Sequence, residues 1–369
     1  MQRYNSFNGL RGFAAIGILL MHYLANMDAN IVLPLKQSNP LLYGSIIPFF
    51  TTFVYMFFII SAFSMCCGYF KKFTMKSTTS GEVSEFNTDK FYLKRYSRIW
   101  PFFALLVGID VVLKPSVSEI YQAFADLTLA FNLLPNPDIS VIGVGWFLGL
   151  IFLFYMIFPW FVFLLQSKKR AWFALIISVA FHFILIRYFL TSEFCTESQI
   201  ANFRHNMIYS FPFFMIGGIL YLYKDKLQLT KNLSKTILLV ITLIATSLCF
   251  TEWKPKFFSG SDLWTAIIFT LWIIYAISGE ISFKGFKILD NRITKLLSDY
   301  SMEIYLCHMV IFRAIEKIHL EKYIQNDHAL YWTWSFLGIG LSFLFSWFVI
   351  NVLFKNIKKL TFTKKINKD

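Results

Sequence analysis

LRGFAAIGILLMH, residues 10–22, is an apolar run with an arginine at its second position and a histidine at its end. The apolar stretch around it covers about residues 8–27, which matches the roughly 20 residues that a helix needs to cross a bilayer. An ionisable side chain within such a span costs on the order of several kcal/mol. We therefore predict that residues 8–27 cross a membrane and that Arg11 and His22 have a chemical role.

The composition of the whole chain supports a membrane protein. Of its 369 residues, 57% are hydrophobic, 20% are aromatic and only 15% are charged, and the mean hydropathy is +0.57. Soluble domains are about a quarter charged and less than half apolar, so this class is excluded. The net charge of +14 is divided among short loops, which disfavours a nucleic-acid partner and instead orients membrane helices.

Hydropathy predicts an all-α polytopic fold with about ten transmembrane helices. The candidate spans are residues 8–27, 46–68, 98–114, 143–165, 171–190, 207–223, 235–251, 263–279, 299–316 and 332–354. Most of the 35 Lys and Arg residues fall in one alternating set of loops, which predicts that both termini are cytoplasmic. Residues 1–369 are interpreted as a single transmembrane domain with a basic cytoplasmic tail at 355–369.

Two further features complete the predicted layout. The stretch at 119–134 is too short and too acidic for a span, so it is interpreted as an interfacial or re-entrant helix. None of the five cysteines forms a CxxC motif, which argues against a zinc or redox site. Cys195 and Cys249 lie at loop edges predicted to be external; a disulfide between them stays open, with separate thiols favoured.

Arg11 and His22 share one face of the first helix. They are eleven residues apart, which places them within about 20° of each other around the axis and about 16 Å apart along it. Taken alone, Arg11 is equally consistent with a snorkelling charge at the cytoplasmic boundary. Taken alone, His22 is better explained as a hydrogen-bonded histidine inside the bundle.

Two further clusters place polar groups at or within spans. In FYLKRYSRIWPFF, residues 91–103, three basic residues precede a span, and such groups can bind phosphates or simply set topology: Lys94, Arg95 and Arg98. In SDYSMEIYLCHMVIFR, residues 298–313, one helical stripe carries Ser301, Tyr305 and His308, and Glu303 lies nearby. Cys307 points about 100° away from His308, so a thiol nucleophile is disfavoured.

Six motifs in order resemble the acyltransferase-3 family of integral membrane O-acyltransferases. They are NGLRGFAAIGILLMH with Arg11 and His22 at the matching positions, FFIISAF at 57–63, KRYSRIWP with Arg95 and Arg98, GWFLGLIFLFYMIFP at 145–159, FPFFMIGGILY at 211–221 and SMEIYLCH at 301–308. Many members carry an acidic residue about five positions after the tryptophan, where this chain has Ile151 and Phe152. The resemblance covers nearly the whole chain.

The resemblance implies transfer of an acyl group, usually acetyl, from cytoplasmic acyl-CoA to a hydroxyl of a cell-surface or lipid-linked carbohydrate. His22 would act as a general base or as a transient acyl carrier. The other implied site residues are Arg11 and His308 as catalytic groups, Lys94, Arg95 and Arg98 at the CoA phosphates, and Ser301, Glu303, Tyr305 and Trp146 lining the substrate site.

The same resemblance sets expectations for location, cofactors and partners. It implies acetyl-CoA as cosubstrate and no metal. The expected partners are the acyl-CoA donor, a carbohydrate acceptor and the lipid bilayer, and a homo-oligomer stays open. The implied location is the bacterial inner membrane.

Two other functions stay open from the residues alone. A proton-coupled transporter or flippase would use the deep histidines as proton relays and the arginines to hold an anionic substrate; it would need no acyl-CoA. An accessory protein that only binds a glycan-assembly partner would lose nothing when His22 is replaced by alanine, provided that the fold survives.

Overall fold

The computed structural model describes residues 4–74, 87–113, 115–133, 143–196, 205–250, 258, 261–282 and 285–357. These residues form helices and connecting turns, and none of them lies in a β-strand, so the predicted all-α class is confirmed. In chain order the α-helices of eight or more residues are α1 (Ser6–Asn26), α2 (Ala29–Ser38), α3 (Phe53–Thr74), α4 (Thr88–Leu113), α5 (Val117–Leu127), α6 (Trp146–Leu165), α7 (Lys168–Ile184), α8 (Met207–Leu227), α9 (Asn232–Leu248), α10 (Thr265–Ser278), α11 (Arg292–Asp299), α12 (Ser301–Glu316) and α13 (Asp327–Phe348).

The helices divide into two compact units. Unit 1 comprises Met1–Leu10 and Thr52–Asn291, and unit 2 comprises Arg11–Thr51 and Arg292–Asp369. Helix α1 begins in the first and continues into the second. The single domain proposed for residues 1–369 stays a prediction, and residues 358–369 of the basic tail lie outside the described residues.

Within the described residues, seven helical segments are long and apolar enough to cross a membrane. They are Ser6–Asn26, Pro40–Thr74, Thr88–Leu113, Gly143–Leu165, Lys168–Phe189, Met207–Leu227 and Asp327–Ile357. The chain is thus a multi-pass membrane protein. The other three predicted spans form helices of 17, 14 and 16 residues: α9, α10 and α12. The count of ten spans and the side of each terminus stay predictions.

Helix α5 covers residues 119–127 of the 119–134 stretch that was predicted to form a separate interfacial or re-entrant helix. Ser116 caps its start, because its Oγ accepts a hydrogen bond from the backbone N–H of Glu119 at 3.0 Å. One stripe of the helix, at positions i, i+3, i+4 and i+7, is exposed and apolar: Val117, Ile120, Tyr121 and Phe124. An exposed apolar stripe of this kind is typical of a helix that lies on a membrane surface.

Unit 1 is held together by stacked aromatic rings between α3, α6 and α8. Phe154 stacks on Phe214 with the ring centroids 4.1 Å apart, and Phe58 contacts Phe214 at 4.8 Å. Helix α8 approaches α3 closely at Gly217, where a Cβ would overlap the carbonyl oxygen of Ile59. The first glycine of the pair in FPFFMIGGILY therefore permits this helix contact.

The start of α1 is fixed against the loop that precedes α11. The backbone N–H of Gly9 donates to the carbonyl oxygen of Leu289 at 2.9 Å, and a Cβ on Gly9 would overlap Leu289. The carboxylate of Glu280 is buried and accepts hydrogen bonds from the backbone N–H groups of Ile288, Leu289 and Asp290 at 2.7–3.2 Å. Together these contacts hold the first turn of α1 in unit 1.

Unit 2 has its own apolar core, built by α1, α2, α12 and α13. Its buried side chains are Leu19, Tyr23, Leu24, Met27, Leu35, Tyr43, Ile47, Ile304, Phe312, Ile315, Leu330, Tyr331 and Trp334. Helices α12 and α13 pack side by side. The second glycine of NGLRG, Gly12, lies in this unit against Leu297, where a Cβ would come within 3.0 Å of the Leu297 Cβ.

All five cysteines lie in the described part of the chain and are free thiols. The pairing of Cys195 with Cys249, which the sequence left open, therefore does not occur. The Cys195 thiol instead donates to the carbonyl oxygen of Phe189 at 3.4 Å, and the Cys249 thiol donates to that of Ala245 at 3.4 Å.

Candidate functional site

Two histidines that the sequence places 286 positions apart meet in unit 2. The Nδ1 of His22 on α1 lies 2.9 Å from the Nε2 of His308 on α12, within hydrogen-bond distance. The rings are nearly parallel, with an angle of 20° between their planes and 5.0 Å between their centroids. His308 is fully buried, whereas His22 is partly exposed. Of the two residues, only His22 therefore keeps accessible surface.

The buried member of the pair is fixed by its own helix and by α1. The Nδ1 of His308 lies 2.6 Å from the carbonyl oxygen of Tyr305, one turn earlier on α12. The hydroxyl of Tyr23, beside His22 on α1, donates to the carbonyl oxygen of His308 at 3.2 Å. The Tyr23 ring has room there because α13 has a glycine, Gly338, where any Cβ would overlap it.

The other residues predicted near the pair lie on α1 and α12. Arg11 is partly buried on α1, about three turns before His22. Ser301, Glu303 and Tyr305 are all buried on α12. The Ser301 hydroxyl donates to the carbonyl oxygen of Ser298 at 2.9 Å, so it connects the start of α12 to the last turn of α11. The structure thus brings the two predicted histidines into contact and gives Ser301 a local hydrogen bond.

Cys307 points away from the histidine pair. Its sulfur lies 3.6 Å from the hydroxyl of Ser346 and 3.7 Å from the carbonyl oxygen of Ser342, both on α13, and it is fully buried. This orientation agrees with the expected angle of about 100° between neighbouring residues. No three His, Cys, Asp or Glu side chains converge as metal ligands in the part of the chain that the structure describes.

The basic cluster at 94–98 lies on α4 in unit 1. Arg95 donates from Nη2 to the hydroxyl of Tyr69 at 2.6 Å, and its guanidinium lies 5.0 Å from the Tyr69 ring and 5.8 Å from the Tyr155 ring. Its Nε is buried without a hydrogen-bond partner. No described carboxylate pairs with Arg95. Lys94 and Arg98 are exposed on the same helix.

Trp146, predicted to line the substrate site, begins α6 in unit 1. Its ring stacks on that of His205, with 3.8 Å between centroids and 7° between planes. It also contacts the rings of Phe58 and Phe147 edge-on. One face of the indole is therefore covered by an imidazole from the segment that precedes α8.

His182 in unit 1 provides a contrast with His22. Its Nδ1 lies 2.7 Å from the carbonyl oxygen of Tyr209, and its Nε2 lies 2.7 Å from the hydroxyl of Ser261. The ring is fully buried, and both of its nitrogens are used to connect α7, α8 and the start of α10. Such a histidine joins helices and leaves no nitrogen for chemistry.

Three tyrosines that contact predicted site residues were not found from the sequence. Tyr23 holds His308, and Tyr69 and Tyr155 hold Arg95. Only one signal was available: each lies in an apolar helix, where a phenolic hydroxyl needs a partner. The partner could not be identified, because in each pair it lies on a different helix.

Comparison with known proteins gives one result. The family model described as an acyltransferase domain matches residues 4–351, which includes the histidine pair and the basic cluster. Comparison with curated proteins gives no match, and comparison with solved structures gives none either.

Proposed function

Because this chain belongs to the acyltransferase-3 family and is a multi-pass membrane acyltransferase, we propose that it transfers an acetyl group from acetyl-CoA to a hydroxyl of a cell-surface or lipid-linked carbohydrate. O-antigen, capsule or exopolysaccharide are acceptors of this class. The observation that carries the proposal is the 2.9 Å contact between His22 and His308 inside an apolar helix bundle. A buried imidazole behind a partly exposed one is a suitable arrangement for moving a proton.

In this reaction the acceptor hydroxyl attacks the thioester carbonyl while its proton moves to the imidazole of His22. The C–S bond then breaks, and CoA leaves as the thiol after the imidazole returns the proton. Alternatively, the imidazole itself attacks and carries the acetyl group to the hydroxyl. Release of CoA in an amount equal to the protein, without any acceptor, distinguishes this second route from the first.

The donor is assigned to the basic cluster of α4. Arg95 supports this assignment because its guanidinium contacts two tyrosine rings and has no described carboxylate partner. Lys94 and Arg98, exposed on the same helix, add two further positive charges. Arginine forks match phosphate geometry, and CoA carries several phosphates.

The remaining roles follow from the same assignment. Arg11 orients or charge-stabilises the donor, and Ser301, Glu303, Tyr305 and Trp146 line the substrate site. The protein resides in the bacterial inner membrane with both termini in the cytoplasm, where acetyl-CoA is available. No metal is required, since a positioned base is sufficient for acyl transfer from an activated thioester.

The first experiment compares surface glycans from cells that lack the protein, make it, or make its His22→Ala form. A fourth strain makes His319→Ala, which removes an exposed histidine whose Nδ1 contacts Glu321 at 2.9 Å. Proton NMR before and after mild base identifies ester-linked acetyl groups. We expect them only with the unaltered protein and with His319→Ala. Identical glycans from all four strains would contradict the carbohydrate assignment.

A second assay separates the enzyme from the transporter. Protein reconstituted in vesicles is supplied with acetyl-CoA and the glycan acceptor, and free thiol is measured over time. We expect thiol release that depends on the protein, on the acceptor and on His22. Movement of the glycan across the vesicle membrane without thiol release would favour the transporter.

A further inference from the structure

A chain of hydrogen bonds leads from the backbone of α12 to His22. It begins at the carbonyl oxygen of Tyr305, continues through the His308 ring, whose Nδ1 lies 2.6 Å from that oxygen, and ends at the Nδ1 of His22, 2.9 Å from the His308 Nε2. A carbonyl oxygen accepts hydrogen bonds and cannot donate one. The Nδ1 of His308 must therefore carry a proton.

This first proton determines the others. A neutral imidazole has one N–H, so the Nε2 of His308 has a lone pair and accepts. The Nδ1 of His22 must then donate to it. The Nε2 of His22 is left as the unprotonated nitrogen of that ring, and no described group forms a hydrogen bond with it. Which nitrogen of a histidine is protonated is set by the hydrogen bond that the other nitrogen makes.

We infer that His308 is a positioning residue: its contact with the Tyr305 carbonyl holds His22 in the Nδ1–H tautomer, so that the Nε2 of His22 takes the proton of the acceptor hydroxyl. This inference rests on the proposed acyl transfer. His308 itself stays behind His22, fully buried, and does not touch the reacting atoms.

The arrangement also supports the charge that forms during the reaction. When the Nε2 of His22 takes the acceptor proton, its ring becomes an imidazolium, and its Nδ1–H donates to the neutral His308. Hydrogen bonds from an ionised donor are roughly twice as strong as neutral ones. The proton then moves from Nε2 to the departing CoA sulfur, which restores the starting state.

The surrounding packing fixes the backbone that carries the His308 ring. Its backbone is held by the hydroxyl of Tyr23, whose ring fills the space above Gly338. His182 resembles His308 at one ring nitrogen only. A carbonyl oxygen lies at the Nδ1 of His182, but its Nε2 contacts the hydroxyl of Ser261 instead of a second imidazole. The pair in unit 2 thus differs by its second imidazole. The fixed tautomer of His308 determines the tautomer of His22, which is partly exposed.

The test measures the tautomer of His22 directly. Protein labelled with ¹⁵N-histidine and reconstituted in lipid is studied by NMR, and the His22 signals are assigned by their loss in His22→Ala. We expect a protonated Nδ1 and an unprotonated Nε2 in the unaltered protein. A His22 ring protonated at Nε2 would overturn the inference without any variant of His308.

Two substitutions then connect the tautomer to the rate. His308→Gln keeps an oxygen that can accept from His22, whereas His308→Leu removes the acceptor. For His308→Leu we expect a mixed tautomer and a kcat lower by about 10²–10⁴-fold, the range for losing a correctly protonated base, with the KM for acetyl-CoA within about twofold. His308→Gln should recover most of the rate. His308→Leu with the tautomer and kcat of the unaltered protein would contradict the inference.

The two hypotheses fail in different ways. If the unaltered protein releases no thiol from acetyl-CoA with any glycan acceptor, the proposed function is wrong. If it does release thiol but His22 has no preference for the Nδ1–H form, only the role of His308 is wrong. If His308→Leu does not fold, the NMR spectrum of the unaltered protein and the rate of His308→Gln still test the role of His308.

Discussion

The guanidinium of Arg95 contacts two tyrosine rings, one from helix α3 and one from helix α6. The Tyr69 hydroxyl accepts from its Nη2 at 2.6 Å, and the Tyr155 ring lies 5.8 Å away. A cation over an aromatic ring gains about 0.5–2 kcal/mol without neutralising the charge. The arginine is therefore oriented in advance and keeps its charge for an anion, as the proposed contact with CoA phosphates requires.

This geometry predicts a defect in donor binding when Arg95 is changed to lysine. An ammonium keeps the charge but loses the planar fork and its stacking on the tyrosines. We expect Arg95→Lys to raise the KM for acetyl-CoA by about 10–100-fold, corresponding to the ~1.5–3 kcal/mol of a hydrogen bond to a charged group, with kcat within about threefold. Initial rates at varied acetyl-CoA concentration measure both constants.

Tyr69→Phe is the matched variant for the same contact. It keeps the ring and removes only the hydroxyl that accepts from Arg95. We expect a smaller rise in the KM for acetyl-CoA, about two- to twelvefold, since a net hydrogen bond contributes about 0.5–1.5 kcal/mol. A fall in kcat at unchanged KM in either variant would place Arg95 in the chemical step instead of the donor contact.

Single residues differ in how well the sequence identifies them. His22 and His308 were predictable because an ionisable group in an apolar helix is costly. Their contact was not, since His22 was expected to share its face with Arg11, and the sequence contains no signal that joins α1 to α12. The same holds for Tyr69 and Arg95, which lie on different helices.

At the scale of helices, two adjacent glycines on α8 illustrate how packing constrains the sequence. A Cβ on Gly217 would overlap the backbone carbonyl of Ile59, which cannot move without α3. A Cβ on Gly218 would meet the end of the Phe161 ring at 2.7 Å and a Leu165 methyl at 2.8 Å, and these side-chain atoms can shift. The same substitution therefore has different costs at neighbouring positions.

We expect Gly217→Ala to destabilise the protein by about 1–3 kcal/mol, the usual cost of overpacking, and Gly218→Ala to cost less. Gly340→Ala is the control, because a Cβ there meets nothing within 4 Å and alanine favours helix. Thermal unfolding in detergent, followed by circular dichroism, gives the order of stability of the three variants. Equal Tm values for the two α8 variants would contradict the close approach of α3 and α8.

Helix positions were predicted well from hydropathy, and local irregularities were not. A helix covers most of each of the ten predicted spans, and α5 lies in the first part of the stretch where a short separate helix was expected. The π-helical segments Pro40–Ile46, Leu185–Phe189 and Val349–Leu353 had no sequence signal. Hydropathy reports which residues avoid water, whereas an extra residue in a helical turn depends on packing against neighbours.

For the whole molecule, the sequence predicted the fold class and the family, and the structure and the family comparison confirm both. Composition is sufficient for the first, because a chain with 15% charged residues cannot cover its surface with polar groups. The division into two units was not predicted. Residues 11–51 and 292–369 are far apart in the chain, and a single sequence does not reveal contacts between distant segments.

The number of spans determines the position of the termini and is open to test. Ten spans place both termini on one side, whereas an odd number such as seven separates them. Helix α12 is decisive, because its 16 residues are fewer than the roughly 20 that a span needs, yet it carries His308. Basic residues favour the cytoplasmic side, so we expect Asp290 to be cytoplasmic and Gln325 to be external. Reporter proteins inserted in the full chain after Asp290 or after Gln325 measure the side of each position. Alkaline phosphatase is active only outside the inner membrane, whereas green fluorescent protein, which does not fold when exported, fluoresces only inside. Fluorescence at both positions would mean that α12 does not cross the membrane.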